Sequence, residues 1–244
     1  MESHFWTAFC EVILVDNGSA DGSCSFVSAN YPWVHIIELP DNFGFCRAVN
    51  EGIKAAKAPY VLLLNNDTKV KEDFVEQMLL AIRRHKNAFS CAARMVQYHD
   101  RDKLDDAGNY YCALGWSFAR GKGKNIDLYQ KEEKIFSACG GANWYAPDAV
   151  VYHVGSGTSG SRYNHFKTRY SSRNNIYLIY KNMPLLQIIL NLPFLAAGFL
   201  IKFLFFALKG MGKEYLAGIK NGFSISMNHR KVPFSVKHLP NYCK

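Results

Sequence analysis

The chain has 244 residues, of which 49% are hydrophobic, 14% aromatic and 20% charged. This composition is that of a folded protein and excludes disorder, collagen and a coiled coil as descriptions of the whole chain. Residues 1–170 hold 19 basic and 19 acidic side chains, whereas residues 171–244 hold ten basic residues and one acid, which accounts for the net charge of +9. We therefore expect a neutral body and a basic tail, and we place the boundary between the folded domain, residues 1–182, and the tail, residues 183–244, shortly after the charge changes.

The first element in chain order is an apolar run at residues 11–16, which predicts a buried parallel strand. The loop after it contains Asp16, Asn17 and Ser19 among glycines. Turn-forming residues ahead of a helix can place backbone N–H groups against a phosphate or a ribose, although loops of this composition also cap many helices. This loop has no GxGxxG motif, which argues against a nicotinamide or flavin site here.

The second predicted strand, residues 34–39, leads into a helix predicted over residues 44–57. Between them, Asn42 is predicted to be the N-cap and Gly44 permits close approach of the backbone. Arg47 and Asn50 are three residues apart and share one face of this helix near its N-terminus. They could contact a diphosphate or remain solvated.

The third predicted strand, residues 60–65, runs directly into Asn65, Asn66, Asp67 and Thr68. Amide and carboxylate oxygens suit a hard divalent cation, Mg²⁺ or Mn²⁺, that is shared with substrate phosphates. The alternative interpretation is that Asp67 or Thr68 caps the helix predicted over residues 71–86. The two interpretations are compatible.

Beyond this point, a fourth strand is predicted over residues 89–95 and a β-rich excursion over residues 99–135. A strand-like run at residues 149–152 ends at His153, followed by a Gly/Ser loop at residues 156–161 and a helix over residues 166–181. A histidine at such a strand end is either structural or a metal ligand. Short strands that alternate with helices are typical of an α/β sheet, in which ligands bind beyond the carboxyl ends of the strands.

The tail contains an uncharged run at residues 182–201, long enough to cross a membrane. Gln187, Asn191, Pro193 and Lys202 argue against crossing, and a helix that lies in the interface with its lysines near anionic head groups fits equally well. A buried core helix is the remaining alternative.

None of the seven cysteines forms a CxxC pair, which favours a reducing compartment. We expect the protein to lie at the cytoplasmic face of a membrane, where it is either bound peripherally or anchored by one transmembrane helix around residues 184–208.

Five collinear stretches resemble the family-2 glycosyltransferases of the GT-A fold, and especially the rhamnosyltransferase-like branch. They are EVILVDNGSADGS (11–23), NFGFCRAVNEGIKAA (42–56), YVLLLNNDT (60–68), FSACGGA (136–142) and YAPDAVVYHVGSGTSG (145–160). The resemblance covers residues 8–182. It implies a GT-A (Rossmann-like), mostly parallel sheet flanked by helices. It also implies inverting, metal-dependent sugar transfer from a UDP- or dTDP-linked donor to a cell-surface polysaccharide or lipid-linked acceptor.

The same resemblance implies roles for individual residues. Asp67 corresponds to the Asp-x-Asp metal motif, and His153 matches a further ligand of the Mg²⁺ or Mn²⁺ ion. Asp16 would contact the nucleobase. The nucleotide-sugar would be bound by side chains and backbone from three loops: Asp16, Asn17, Ser19, Asn42, Gly44, Arg47, Asn50, Asn65 and Asn66.

Two departures from the family affect the expected activity. Only ten residues precede Glu11, so the family's first strand is expected to be missing. About 40 residues that carry the acidic catalytic-base segment are also missing between residues 142 and 145, so no catalytic base is identified. Because a general base is typically worth about 10²–10⁴-fold in rate, we expect impaired activity. A non-catalytic, membrane-bound nucleotide-sugar-binding protein is the alternative. Nucleic-acid binding is disfavoured because the basic residues flank an apolar run rather than a stacking surface.

Overall fold

A computed structural model describes residues 10–135, 142–155 and 163–235. The chain forms two compact units, residues 1–66 and residues 67–244. The boundary predicted at residue 182 falls at the end of a helix inside the second unit. Most of the predicted motif at 136–142, and the Gly/Ser loop at 156–161, lie outside the described residues.

The first unit contains a parallel strand pair joined through a helix. Its elements are β1 (Ile13–Asn17), α1 (Ser23–Asn30), β2 (His35–Leu39) and α2 (Phe45–Ala55). Leu14 lies opposite Ile36 in the parallel register, as the two apolar runs predict. The predicted N-cap was wrong by two residues: Gly44, not Asn42, is the N-cap of α2, and the Asn42 side chain accepts the Gly44 N–H instead.

The strand predicted over residues 60–65 is wrong, because the structure has no strand there. Four of its apolar side chains are 39–58% exposed: Val61, Leu62, Leu63 and Leu64. A strand needs a neighbour that completes its backbone hydrogen bonds, and apolar composition alone does not supply one. Among the described strands, β1 pairs only with β2.

The second unit is built on a mixed sheet, not the mostly parallel sheet that we expected. Its elements are β3 (Thr68–Val70), α3 (Phe74–Arg84), β4 (Ala88–Gln97), β5 (Leu104–Asp106), β6 (Asn109–Cys112), β7 (Trp116–Ala119), β8 (Glu133–Ile135) and β9 (Ala142–His153). The strand order is β3-β9-β4-β5, with β8 also paired to β9. Only β4 and β9 are parallel; β3 and β8 run antiparallel to β9, and β5 runs antiparallel to β4. A connection as short as that from β4 to β5 permits only the antiparallel arrangement.

Two apolar clusters hold this sheet in place. Phe74 and Ala81 of α3 are buried against Ala146, Ala149 and Val151 of β9. A second cluster joins three buried residues of the β-rich excursion to β9. Its members are Leu104, Ala107 and Ile135 of the excursion and Tyr145 of β9. The four strands β5–β8 confirm that residues 99–135 are β-rich.

The C-terminal helices are α4 (His165–Asn182), α5 (Leu185–Leu190), α6 (Leu192–Leu208) and α7 (Gly212–Met227). The long uncharged run is thus interrupted at Asn191, where α5 ends and α6 begins. In the described parts of the chain, no helix combines the length and the apolar character needed to cross a membrane. The segment after α7 returns to the end of α4: the Val232 N–H donates to Lys181 O at 3.0 Å, and the Tyr180 hydroxyl donates to His229 O at 3.0 Å.

Helix α6 lies against the hairpin formed by β6 and β7. The Trp116 indole N–H donates to Gly198 O at 3.2 Å, and Lys202 Nζ lies 5.2 Å from the centroid of the Trp116 ring. Burial lowers the pKa of Lys202. Lys202, which directly follows the uncharged run, is therefore directed at Trp116 of the hairpin. Seven large apolar side chains of α6 remain exposed: Leu192, Phe194, Leu200, Ile201, Leu204, Phe205 and Leu208.

Candidate active site

The loop after β1 is organised by Asp16. One carboxylate oxygen of Asp16 accepts the Ser19 backbone N–H at 2.9 Å. Hydrogen bonds from Ser19 lower the pKa of Asp16, so this exposed carboxylate is ionised at neutral pH. Two of the predicted nucleotide-binding residues therefore lie in one turn, with a negative charge at its start.

The loop after β2 is fastened to the loop after β1. The Asn17 amide donates to Asn42 Oδ1 at 2.9 Å, and Asn17 Oδ1 accepts the Phe43 N–H at 2.9 Å. Asn42 Oδ1 also accepts the Gly44 N–H at 3.0 Å. At Gly18, with φ +80°, a Cβ would lie 2.7 Å from the carbonyl carbon of Asp41, so only glycine fits this approach of the two loops. The structure thus brings Asn17, Asn42 and Gly44 together.

The remaining predicted nucleotide-binding residues of this unit lie on its surface. Arg47 lies over the Phe43 ring, with 5.1 Å from its guanidinium carbon to the ring centroid, and forms an exposed ion pair with Glu51 at 3.5 Å. Its guanidinium is therefore available beside the loop that contains Asn42. Three further predicted residues are exposed: Asn50, Asn65 and Asn66.

The second unit places Asp67 beside His153 through the pairing of β3 with β9. Thr68 lies opposite His153 in the antiparallel register, and the Val154 N–H donates to Asp67 O at 3.0 Å. His153 Nε2 consequently lies 3.3 Å from Asp67 Oδ2. The capping alternative for Asp67 and Thr68 is wrong, because Thr68 begins β3 and the N-cap of α3 is Asp73.

The other side of the His153 ring contacts a residue that the sequence analysis missed. His153 Nδ1 lies 2.7 Å from Asp105 Oδ2, while Asp105 Oδ1 lies 2.5 Å from Lys122 Nζ. Burial alone would raise the pKa of Asp105, but the hydrogen bonds from Lys122 and His153 outweigh it and lower that pKa. An ionised carboxylate can only accept, so Nδ1 of His153 carries a proton, and Nε2 is the ring nitrogen that faces Asp67. No local motif marks Asp105, because its partner is 48 residues away.

When His153 is neutral, its Nε2 lone pair and the Asp67 carboxylate are two acceptors that face each other, and a cation can bind to both. The second oxygen of Asp67, Oδ1, is buried and has no hydrogen-bond partner among the described residues. An ionised oxygen in this state is costly unless a cation neutralises it. The described residues contain no group of three or more His, Cys, Asp or Glu side chains arranged to hold a metal. Two protein ligands fit Mg²⁺ or Mn²⁺ only where substrate phosphates and water complete the coordination.

Comparison with known proteins identifies the family. The family model described as Glycosyl transferase family 2 matches residues 6–151, more than half of the chain. The chain belongs to glycosyl transferase family 2. The matched range includes β1 to β8 and most of β9, and ends two residues before His153.

Two curated glycosyltransferases are similar to parts of this family member. Glycosyltransferase GlyG of Streptococcus pneumoniae serotype 4 is 30% identical over 104 residues, which cover 41% of this chain and 33% of GlyG. The putative teichuronic acid biosynthesis glycosyltransferase TuaG of Bacillus subtilis is 30% identical over 98 residues, which cover 39% of each chain. The match therefore spans between a third and two fifths of these relatives' lengths.

Proposed function

We propose that this family-2 glycosyltransferase transfers a sugar, with inversion, from a UDP- or dTDP-linked donor to a cell-surface polysaccharide or lipid-linked acceptor. The observation that carries the proposal is the pairing of Asp67 with His153, in which one buried carboxylate oxygen has no hydrogen-bond partner within the described part of the chain. The name of the relative TuaG, which refers to teichuronic acid biosynthesis, supports a cell-wall polysaccharide as the product.

Asp67 and His153 would hold Mg²⁺ or Mn²⁺ in the loaded enzyme, which supplies the positive charge that neutralises a departing nucleotide diphosphate. Asp67 contributes a full negative charge, whereas His153 contributes a neutral nitrogen, so the pair leaves net positive charge for the phosphates. Both side chains are largely buried, at 28% and 20% exposure. Their interaction with a charged ligand is therefore screened less than it would be on an open surface.

The nucleotide part of the donor is assigned to the loops of the first unit. Asp16 can accept hydrogen bonds from a nucleobase, and the Asn17–Asn42 contact fixes the backbone in which Gly44 begins α2. The N-terminus of α2 and the exposed Arg47 guanidinium both favour a negative ligand. The further side chains in this proposal are Ser19, Asn50, Asn65 and Asn66.

We also propose that the tail binds an anionic membrane surface from the cytoplasmic side. Helices α5 and α6 expose an apolar surface, which we call the leucine face; its exposed leucines are Leu185, Leu186, Leu190, Leu192, Leu200, Leu204 and Leu208. Residues 171–244 carry ten basic side chains and one acid. Exposed leucines combined with nearby lysines are typical of a surface that lies in a lipid interface. A lipid-linked acceptor would be met at this surface.

A second candidate function is nucleotide-sugar binding without turnover. Strand β9 continues from Ala142 to His153 with only a bulge, and Asp148 is the one acid within it. The stretch in which the family resemblance implies an acidic catalytic base is thus occupied by a strand. This observation supports a binder that has lost, or never had, an efficient general base.

Thermal unfolding of the full chain with UDP or dTDP, with and without Mn²⁺, tests the site. We expect stabilisation that needs both nucleotide and Mn²⁺, and that is lost in Asp67→Asn. It should be kept in Asp73→Asn, which makes the same charge change at an exposed position nearby. Equal stabilisation of wild type and Asp67→Asn would refute the metal assignment.

Turnover of a panel of UDP- and dTDP-sugars then separates the two functions. Release of nucleotide that depends on an acceptor glycan, and that is absent in Asp67→Asn, supports the transferase. Binding of the nucleotide without release over the whole panel supports the non-catalytic binder.

A further inference from the structure

We propose that Asp105 is a positioning residue that sets the tautomer and the orientation of His153, so that Nε2 is presented beside Asp67 as a metal ligand. This inference rests on the proposed metal site and extends it to a carboxylate that makes no contact with the metal position itself. It starts from the two distances at Asp105, 2.7 Å to His153 Nδ1 and 2.5 Å to Lys122 Nζ.

The backbone explains how Asp105 reaches a strand that is not its neighbour. In the pairing of β5 with β4, Leu104 lies opposite Val96 and Asp106 lies opposite Met95, so Asp105 is an extra residue at a register shift. Bulges of this kind turn a side chain away from the regular alternation of the strand. The Asp105 carboxylate thereby reaches across β4 to the histidine at the end of β9.

Each oxygen of Asp105 has a separate partner. Oδ1 faces Lys122, which lies between Gly121 and Gly123, both with φ +75°. Oδ2 faces His153 Nδ1, and the carboxylate is only 14% exposed. Because Lys122 occupies one carboxylate oxygen, the other oxygen of Asp105 is left to accept a hydrogen bond from His153 Nδ1 and so fixes the orientation of the ring. In many metal sites a carboxylate behind a histidine fixes the metal-binding nitrogen in this way.

Replacing Asp105 by asparagine should reverse the tautomer. Lys122 can only donate, so the oxygen of the new amide would face Lys122 and its NH₂ group would face His153. Nδ1 must then accept, and the proton moves to Nε2, where it points at Asp67 and blocks the metal. Asp105→Leu removes the acceptor altogether and serves as the second variant.

The test is ¹⁵N–¹H correlation NMR of protein with labelled histidine, recorded at mildly alkaline pH without metal or nucleotide. The signals of His153 are assigned by their loss in His153→Gln. We expect the Nδ1–H tautomer in wild type and in Lys122→Met, and a shift to Nε2–H in Asp105→Asn and Asp105→Leu. Asp102→Asn, the same charge change at an exposed position of the same segment, should leave the spectrum unchanged. The Nε2–H tautomer in wild type, or an unchanged tautomer in both Asp105 variants, would overturn the proposal.

Mn²⁺ binding in the presence of UDP, measured by the free-ion EPR signal, gives the second readout. We expect about a 10–100-fold weaker affinity for Asp105→Asn, which is the usual effect of losing such a partner. If wild type binds no Mn²⁺ with UDP, the proposed metal site fails, but the NMR result still decides whether Asp105 controls His153. If wild type binds Mn²⁺ and Asp105→Asn binds it equally well, the positioning role fails while the metal site stands.

Discussion

The Asn17 side chain joins β1 to the loop after β2: its amide donates to Asn42 Oδ1, and its own carbonyl oxygen accepts the Phe43 N–H, both at 2.9 Å. These two residues were expected from the sequence to bind a nucleotide, and in the structure they bind each other. A nucleotide would therefore meet a preformed pair of loops, which lowers the entropic cost of binding.

Removing the hydrogen bonds between Asn17 and the loop after β2 should reduce the free energy of nucleotide binding more than the free energy of unfolding. We expect Asn17→Ala to destabilise the chain by about 1 kcal/mol, because its two hydrogen bonds are exposed. Asn17→Asp keeps the acceptor for the Phe43 N–H but places a carboxylate oxygen against Asn42 Oδ1, so it should also weaken the contact between the loops. The measurement is UDP affinity by calorimetry together with thermal unfolding. Unchanged UDP affinity in Asn17→Ala would show that the junction plays no part in the site.

The buried carboxyl of Asp106 should make stability depend on pH. Burial raises the pKa of Asp106 to about 6, above its value in an unfolded chain. Between about pH 4 and pH 6 the folded protein then holds a proton that the unfolded chain has released, so this group lowers stability as the pH rises. Because the carboxyl is partly exposed, we expect a contribution of roughly 1 kcal/mol.

Asp106→Asn isolates this contribution, because its side-chain oxygen can still accept the Gly108 N–H, as Asp106 does at 2.6 Å. Urea unfolding across this pH range should show that the free energy of unfolding of the variant increases relative to that of wild type as the pH rises. Asp102→Asn is the exposed control. A constant difference between wild type and Asp106→Asn at every pH would contradict the raised pKa.

The packing of α7 on α4 depends on Gly218. A Cβ there would overlap Ser172 Oγ and Arg169 O, and the same Ser172 hydroxyl donates to Tyr215 O at 3.1 Å. We expect Gly218→Ala to lower the free energy of unfolding by about 1–3 kcal/mol, even though alanine favours a helix by about 1 kcal/mol over glycine. Ser224→Ala, on an exposed side of α7, is the control. A stability of Gly218→Ala equal to or above wild type would show that the helices separate at little cost.

Membrane binding should depend on the leucine face and not on Lys202. Leu208 is 90% exposed, whereas Lys202 is directed at Trp116. We expect Leu208→Ser and Leu204→Ser each to weaken retention on phosphatidylglycerol vesicles by roughly tenfold, a typical loss for one leucine. Lys202→Met should be retained like wild type. Co-sedimentation with vesicles at increasing salt is the measurement.

Equal retention of wild type and the leucine variants would show that the leucine face does not contact lipid. Loss of retention at high salt is expected because the basic tail contributes through screened charges. Retention on neutral vesicles as strong as on anionic ones would contradict the part assigned to the lysines.

Local patterns predicted some elements well and failed where pairing decides the structure. The apolar run that became β1 and the helical spacing that became α2 and α3 were sufficient to predict these elements, because the periodicity of apolar residues is a local signal. Only α3 also buries its apolar side, at Phe74 and Ala81, whereas Phe45 and Ile53 of α2 are exposed. Residues 60–65 have an equally apolar run but form no strand, since no described strand pairs with them. The parallel sheet was expected from the alternation of elements, and the short connections of the excursion made most pairings antiparallel instead.

The candidate site was likewise predicted where a local motif marks a residue and missed where only a distant contact does. The Asp67–His153 pair was expected from motif order, and the structure places the two side chains 3.3 Å apart. Asp105 was missed because nothing near it in sequence signals a ligand; only the bulge in β5 and the length of its side chain bring it to His153. Contacts between distant segments lie beyond what periodicity and spacing can indicate.

The return of the chain to the end of α4 closes residues 183–231 into a large loop with a fixed base at Lys181 and Tyr180. Since the entropy of closing a loop grows only slowly with its length, the hydrogen bonds at the base add to the contacts that hold this long segment, in which α6 lies against Trp116 and α7 packs on α4. A ligand bound to the leucine face would therefore act on the β6–β7 hairpin and on α4 together.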